Sequence, residues 1–174
     1  MKTKYLFILS ALSLLISCNK TTDDGESKKQ IAGKSVVMDE SVAFLNHQTE
    51  SIQYQIDAIK LANERISNPE IKKYLNENLP KLYILLDDFK KAAKDKSGTE
   101  VPKTDAYRSD LYKLTIADAK EFDDIFILYY KDFLNKTVKD LGAVELHNEK
   151  VNALKNSYGN VLYEQKLYFD VNGK

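Results

Sequence analysis

The sequence contains a single cysteine, Cys18, and no long apolar run after residue 17. A chain with one cysteine cannot form an internal disulfide, and it cannot build the zinc sites that need two or four cysteines. No apolar run after residue 17 reaches the roughly 20 residues that a membrane-spanning helix needs. These shortages exclude cysteine chemistry within the folded chain and leave the role of Cys18 to be explained.

An excess of charge of one sign is also missing. The chain has 26 Lys and Arg residues against 26 Asp and Glu residues, and without residues 1–17 the balance is 24 against 26, a formal charge of −2. Proteins that bind nucleic acid usually carry a strongly basic patch. The balanced charge therefore predicts that nucleic acid is not a partner.

Residue types that bind metals or catalyse reactions are few. The only histidines are His47 and His147, and neither lies three positions after a glutamate, as a ferritin-like di-metal site requires. The aspartate pairs at 87–88 and 123–124 are typical of a solvated helix edge and of the first turn of a helix. No nucleophile–base pattern is present. The sequence therefore predicts a protein that is not an enzyme and that has no metal and no cofactor.

The first 17 residues have the composition of a secretory signal. Lys2 and Lys4 precede the segment Tyr5–Ile16, which is apolar except for two serines. A positive start followed by about 7–15 apolar residues is the pattern of a signal peptide. We therefore exclude this segment from the fold.

The signal ends in the stretch Leu15-Ile16-Ser17-Cys18. Ordinary signal cleavage needs a small residue at the position of Leu15. The stretch instead resembles the lipobox of bacterial lipoproteins, which implies a thioether-linked diacylglycerol on Cys18, cleavage before Cys18 and acylation, such as by palmitate, of the new amino terminus. Several acyl chains are needed because one gives only marginal membrane attachment. A free thiol near a conventional cleavage site is the alternative.

A polar segment over residues 18–37 follows and is typical of a flexible tether. Its root-mean-square reach as a flexible coil is on the order of 20–25 Å. By resemblance to bacterial sorting rules, Asn19 lacks the aspartate that favours retention in the inner membrane. We therefore expect a lipid-anchored protein of the outer membrane, on its periplasmic or its outward side.

From residue 38 to residue 171 the apolar residues recur at intervals of three and four, which indicates α-helices with one buried face. The stripes include Leu45, Ile52, Ile59 and Ile66, then Ile71, Leu75, Leu82 and Phe89, then Phe122, Phe126, Tyr129 and Phe133, and finally Val144, His147, Val151, Leu154, Tyr158 and Val161. Pro69 suits the first position of the second helix, whereas Pro80 is predicted to kink that helix without ending it. We expect the fourth helix to end at Asn172-Gly173.

These stripes predict an all-α fold, an antiparallel up-down four-helix bundle over residues 38–171. A short extra helix is predicted around residues 105–114, before the third long helix. Sequence periodicity leaves the handedness of the bundle open.

Several short motifs resemble a ferritin-like bacterial family of unknown function, domain of unknown function 4142, whose members are often named as outer-membrane proteins. They are Leu61-Ala62, the segment ISNPEIKKY at 66–74, Leu114-Thr115, Phe122-Asp123 with Phe126, and Glu164-Gln165. The resemblance spans most of residues 40–169 and implies the ferritin-like four-helix architecture. The chain would be a divergent member, because the positions that match the family's histidines hold other residues.

Three polar residues lie on or near the predicted stripes and are the candidate site residues: Gln55, His147 and Gln165. A buried polar side chain needs a hydrogen-bond partner. One interpretation is a small polar pocket that remains from a ligand site. The other is a core whose polar groups bond to one another, or a histidine at the edge of its stripe that reaches water.

The sequence as a whole favours an envelope lipoprotein whose helical bundle acts in binding or as a structural element. Its expected partners are the membrane, through the lipid anchor, and an envelope protein, whose identity the sequence leaves open together with the oligomeric state. The alternative function is a metal- or small-ligand-binding bundle with Gln55, His147 and Gln165 at the site.

Overall fold

A computed structural model describes residues 39–99 and 107–173 of the chain. Within these ranges it contains five α-helices and no strand: α1 (Glu40–Arg65), α2 (Pro69–Ser97), α3 (Arg108–Ile116), α4 (Phe122–Ala143) and α5 (Glu149–Asn172). The predicted all-α class is confirmed. The predicted signal at 1–17 and the tether at 18–37, including Cys18, lie outside the described residues.

The junction between α1 and α2 follows the sequence signals closely. Pro69 occupies the first turn of α2, where its missing N–H has no helical partner to lose. The side chain of Asn68 caps the helix by accepting hydrogen bonds from the backbone N–H groups of Glu70 at 3.0 Å and Ile71 at 3.2 Å. Pro80 lies inside α2, which continues to Ser97, so this proline does not end the helix.

Contacts at the helix ends fix the directions of α1, α2 and α4. Nζ of Lys96, near the end of α2, lies 3.5 Å from Oδ2 of Asp39, the N-cap of α1. These two helices are therefore antiparallel. Arg65, the last residue of α1, lies over the ring of Phe122, the first residue of α4, at 4.4 Å from its centroid. Because α4 is also antiparallel to α1, the successive long helices α2 and α4 run in the same direction.

The fourth long helix, α5, is antiparallel to α2, since Lys81 and Tyr74 of α2 meet Glu164 and Tyr168 of α5 in that order. In space α1 and α5 each pack between α2 and α4, so every long helix is antiparallel to its neighbours. Along the chain, however, the directions are up, down, down, up. The simple alternation that we expected along the chain is therefore corrected, because one crossover that includes α3 carries the chain from the end of α2 to the other end of the bundle. One such crossover is the connectivity of ferritin-like bundles.

The centre of the bundle is aromatic. Phe122, Phe126 and Tyr130 stack along α4 with ring centroids 6.1 and 5.1 Å apart. Phe169 of α5 meets the rings of Phe126 and Tyr130 edge-on, at 6.4 and 5.1 Å. All four rings are fully buried. Aromatic side chains bury the most apolar area per residue, so this group contributes strongly to folding.

Two elements begin or end elsewhere than the sequence pattern indicates. The short helix α3 covers Arg108–Ile116, so it begins three residues later and ends two residues later than expected. The last helix begins only at Glu149, and its N-cap is Asn148, whose side chain accepts a hydrogen bond from the N–H of Val151 at 3.1 Å. The apolar stripe that we extended back to residue 144 therefore crosses a helix start.

Candidate functional site

Polar side chains from three helices meet in the middle of the core. Gln55 of α1, Tyr130 of α4 and Gln165 of α5 are each fully buried. The Nε2 group of Gln55 donates to Oε1 of Gln165 at 2.6 Å and to the Tyr130 hydroxyl at 3.1 Å. The Tyr130 hydroxyl donates in turn to Oε1 of Gln165 at 2.8 Å. The three side chains therefore form a closed triangle of hydrogen bonds.

A second tyrosine extends this triangle along α1. The Tyr158 hydroxyl of α5 donates to Oε1 of Gln55 at 3.5 Å and lies 3.1 Å from the Ser51 hydroxyl. Ser51 lies four residues before Gln55, on the same face of α1. We call the five residues Ser51, Gln55, Tyr130, Tyr158 and Gln165 the amide–tyrosine network.

The amide–tyrosine network is electrically neutral. Burial raises the pKa of Tyr130 and of Tyr158 well above the usual 10.0, and hydrogen bonds from Gln55 and Ser51 offset only part of this effect. Amide side chains do not titrate. The network therefore offers no proton donor or acceptor suited to general acid–base catalysis near neutral pH, and it offers no negative charge to a hard cation.

Two amide atoms beside this network have no hydrogen-bond partner among the described residues: Nε2 of Gln165 and Oε1 of Gln48. Gln48 lies on the same face of α1 as Ser51 and Gln55, and it is 3% exposed. Such a buried amide group costs about 1–3 kcal/mol when it is left unbonded.

The structure brings together two of the three predicted site residues. Gln55 and Gln165 are hydrogen-bonded to each other, whereas His147 is exposed and lies between α4 and α5. It lines an open hollow of about 340 Å³ whose walls are Asp39, Glu40, Ser41, Lys96, His147 and Asn148. Of the two interpretations of His147, the structure agrees with the one in which this histidine reaches water, because Asn148 caps α5 and places residue 147 outside the helix and apart from the two glutamines.

The site also contains three residues that the sequence pattern did not single out: Ser51, Tyr130 and Tyr158. One signal was available for α1, where the polar residues 48, 51 and 55 recur at intervals of three and four. Polar residues with this spacing on a core-facing stripe indicate a buried network. Tyr130 and Tyr158 gave no comparable signal, since tyrosines are common at the edge of a core.

No protein-family model matches the chain, and no curated protein matches it by sequence. The chain is similar in structure to CopM in the Cu(I)-bound form, with a TM-score of 0.67, 17% identity, and coverage of 76% of this chain and 94% of CopM. It is also similar to CopM in the apo form, with a TM-score of 0.63, 17% identity, and coverage of 75% and 93%. At this identity the likeness supports the helical fold alone. The resemblance to domain of unknown function 4142 stays a prediction.

Two features are absent from residues 39–99 and 107–173. No three His, Cys, Asp or Glu side chains come together there as a metal-binding group. No helix in these ranges is long and apolar enough to cross a membrane.

Proposed function

We propose that this chain is an envelope lipoprotein, anchored in the outer membrane through lipid on Cys18. Its helical bundle acts by binding a protein partner or as a structural element, and it catalyses no reaction. The observation that carries the proposal is the stretch Leu15-Ile16-Ser17-Cys18, placed between an apolar signal and a polar segment. Acyl chains on Cys18 supply the apolar anchor that this function needs.

The position of the first helix supports this arrangement. Asp39 caps α1 and Glu40 begins it, so the bundle starts directly after the predicted tether of residues 18–37. A flexible tether of this length reaches on the order of 20–25 Å. The bundle can therefore stand clear of the bilayer surface and meet partners in the envelope.

The chemistry of the core supports a role without catalysis. Three buried polar side chains, those of Gln55, Tyr130 and Gln165, are hydrogen-bonded to one another. Raised tyrosine pKa values keep the network neutral, so it serves to position helices and not to move protons. Binding is left to the outer surface of the bundle.

The likeness to CopM in the Cu(I)-bound form raises copper as a second candidate. Cu(I) prefers soft sulfur ligands from Cys and Met. Over residues 38–173 the only sulfur side chain is that of Met38, and the only imidazoles are those of His47 and His147, which are exposed. The residues of the bundle do not fit a Cu(I) site of that kind, and we propose no copper function for them.

The anchor is tested by replacing the one residue that can carry it. Cells that produce the chain with Cys18→Ala are labelled with palmitate and fractionated into soluble and membrane material. We expect the variant to lose the label and to leave the membrane fraction. Label and membrane attachment equal to those of the parent chain would refute the lipoprotein assignment.

Two further measurements address location and binding. Asn19→Asp keeps Cys18, so we expect it to stay labelled but to move to the inner membrane. Chemical crosslinking of membranes followed by pull-down of the anchored chain is expected to recover an envelope protein that the Cys18→Ala variant does not capture. An outer-membrane fraction unchanged by Asn19→Asp would contradict the sorting part of the proposal only.

A further inference from the structure

The outer face of α5 carries no charge along its centre from Ala153 to Val171, although the exposed Glu149 lies on the same line one turn earlier, at the start of the helix. Its central residues are all exposed: Ala153, Asn156, Asn160, Tyr163, Leu167 and Val171. We call these six residues the α5 outer row. The exposed surfaces of two other helices are charged, with Lys73, Glu77, Asp88 and Lys91 on α2 and Asp124, Asp132, Lys136 and Lys139 on α4. In a chain with 30% charged residues, a solvated helix is expected to be charged on its outer face.

The α5 outer row follows one face of the helix over its full length. From residue 153 to residue 167 the intervals are three, four, three and four, and Val171 follows four residues later. Residues at these intervals lie on one face of a helix. The row is therefore a continuous uncharged strip, amide-rich in its first half and apolar in its second.

The apolar residues of the row are exposed to solvent. Tyr163 is 56% exposed, Leu167 48% and Val171 69%. Ion pairs border it on both sides: Glu164 with Lys81 of α2 at 3.2 Å, and Asp170 with Lys131 of α4 at 3.8 Å. An apolar centre with a charged rim is the usual anatomy of a protein–protein interface.

Gly159 provides a separate observation at the edge of the same face. It lies inside α5, where glycine destabilises a helix relative to alanine. A Cβ atom built on Gly159 would meet nothing within 4 Å. The fold of one chain therefore gives no steric reason for glycine at this position, whereas a second helix could approach this part of α5 closely because the side chain is missing.

We propose that the α5 outer row pairs with the same row of a second copy of this chain in a two-fold dimer. An uncharged row can face itself without repulsion between like charges, as an interface with two-fold symmetry requires. Asn156 and Asn160 suit this arrangement, because an amide carries both donors and an acceptor and can bond to its own copy. The inference does not depend on the lipid anchor.

Cysteine crosslinking of the full chain in cells tests the pairing. Asn160→Cys places a thiol in the row, and the matched control Ile84→Cys places one on the outer face of α2, where Ile84 is 65% exposed. A disulfide forms only when the two Cα atoms lie within about 7 Å. After addition of the thiol oxidant diamide, we expect a reducible dimer from Asn160→Cys and none beyond the parent level from Ile84→Cys.

A second substitution links the crosslink to the row. Leu167→Lys puts a charge at an exposed position, so we expect the fold to be retained. We expect this substitution to abolish the Asn160→Cys dimer. The control Ile84→Lys is expected to leave that dimer intact. Equal dimer from both cysteines, an adduct with a different protein at residue 160, or a dimer insensitive to Leu167→Lys would overturn the proposal. The amount of dimer is measured in total cell protein, and the parent chain is measured in parallel. The result therefore does not depend on whether lipid on Cys18 anchors the chain to the membrane.

Discussion

Gln55 of α1 donates a hydrogen bond of 2.6 Å to Gln165 of α5, across the diagonal of the bundle. These two helices are separated on both sides by α2 and α4, so few other contacts join them directly. Tyr130 of α4 bonds to both amides and ties a third helix to the pair. A buried network of this kind fixes how the helices are aligned along their axes, because a shift of any one of them breaks its bonds.

Removing one member of the amide–tyrosine network is expected to lower the stability of the fold. Gln165→Leu leaves the Gln55 amide and the Tyr130 hydroxyl with fewer buried partners, and we expect a loss of about 1–3 kcal/mol in the free energy of unfolding. Urea denaturation measures it. As a matched control, Asn135→Leu removes an exposed amide from α4 and is expected to change stability by less than about 0.5 kcal/mol.

Replacing all three residues of the triangle is expected to lower the free energy of unfolding less than replacing one of them. The triple variant Gln55→Leu, Tyr130→Phe and Gln165→Leu replaces all three bonded groups with apolar ones, and such paired replacement is close to neutral. We therefore expect the triple variant to be more stable than Gln165→Leu alone. A triple variant that is less stable than the single one would mean that the network itself contributes net stability.

Stability is expected to fall at alkaline pH. Burial raises the pKa of Tyr130 and Tyr158 above their unfolded value of 10.0, so the folded chain keeps protons that the unfolded chain releases. This contribution is complete below pH 10.0 and is lost as pH rises from there towards the folded-state pKa values. Urea unfolding across this range, with Tyr130→Phe and Tyr158→Phe, measures it. Variants that lose stability as steeply as the parent chain would show that other groups are responsible.

Arg65 is expected to hold α3 in place. Its guanidinium donates hydrogen bonds to the backbone oxygens of Leu114, Thr115 and Ala117 at the end of α3, and it lies over the ring of Phe122. A lysine ammonium cannot span the same acceptors in a plane. Arg65→Lys should therefore cost about 1–3 kcal/mol in the free energy of unfolding and speed amide hydrogen exchange in α3. The exposed control Lys73→Gln should leave exchange in α3 unchanged.

Two glycines are expected to respond to alanine in opposite ways. Gly98 ends α2 with φ of 70°, a left-handed conformation that costs an alanine about 1–2 kcal/mol. Gly159 lies inside α5 with open space around it, so Gly159→Ala should stabilise the chain by about 0.5–1 kcal/mol. Thermal unfolding at low protein concentration compares the two. A loss of stability in Gly159→Ala would show that the fold of the single chain requires this glycine.

The ends of the helices were predicted well where the signal involves only residues close together in the sequence. Pro69 begins α2, the chain continues through Pro80 as a helix, and α5 ends at Asn172. Each of these outcomes depends on backbone geometry within a few residues of the signal. The same reasoning failed at His147, because an apolar spacing of three and four does not reveal that Asn148 caps the helix one residue later.

The sequence by itself determined the all-α class, most helix boundaries and the stretch around Cys18 on which the anchoring proposal is based. Only the tertiary structure decided that α2 and α4 run in the same direction and that Gln55 meets Gln165. These two residues are 110 positions apart, and the spacing of residues within one helix carries no information about which helices become neighbours. That choice is made by the crossover between α2 and α4 and by the packing of the complete core.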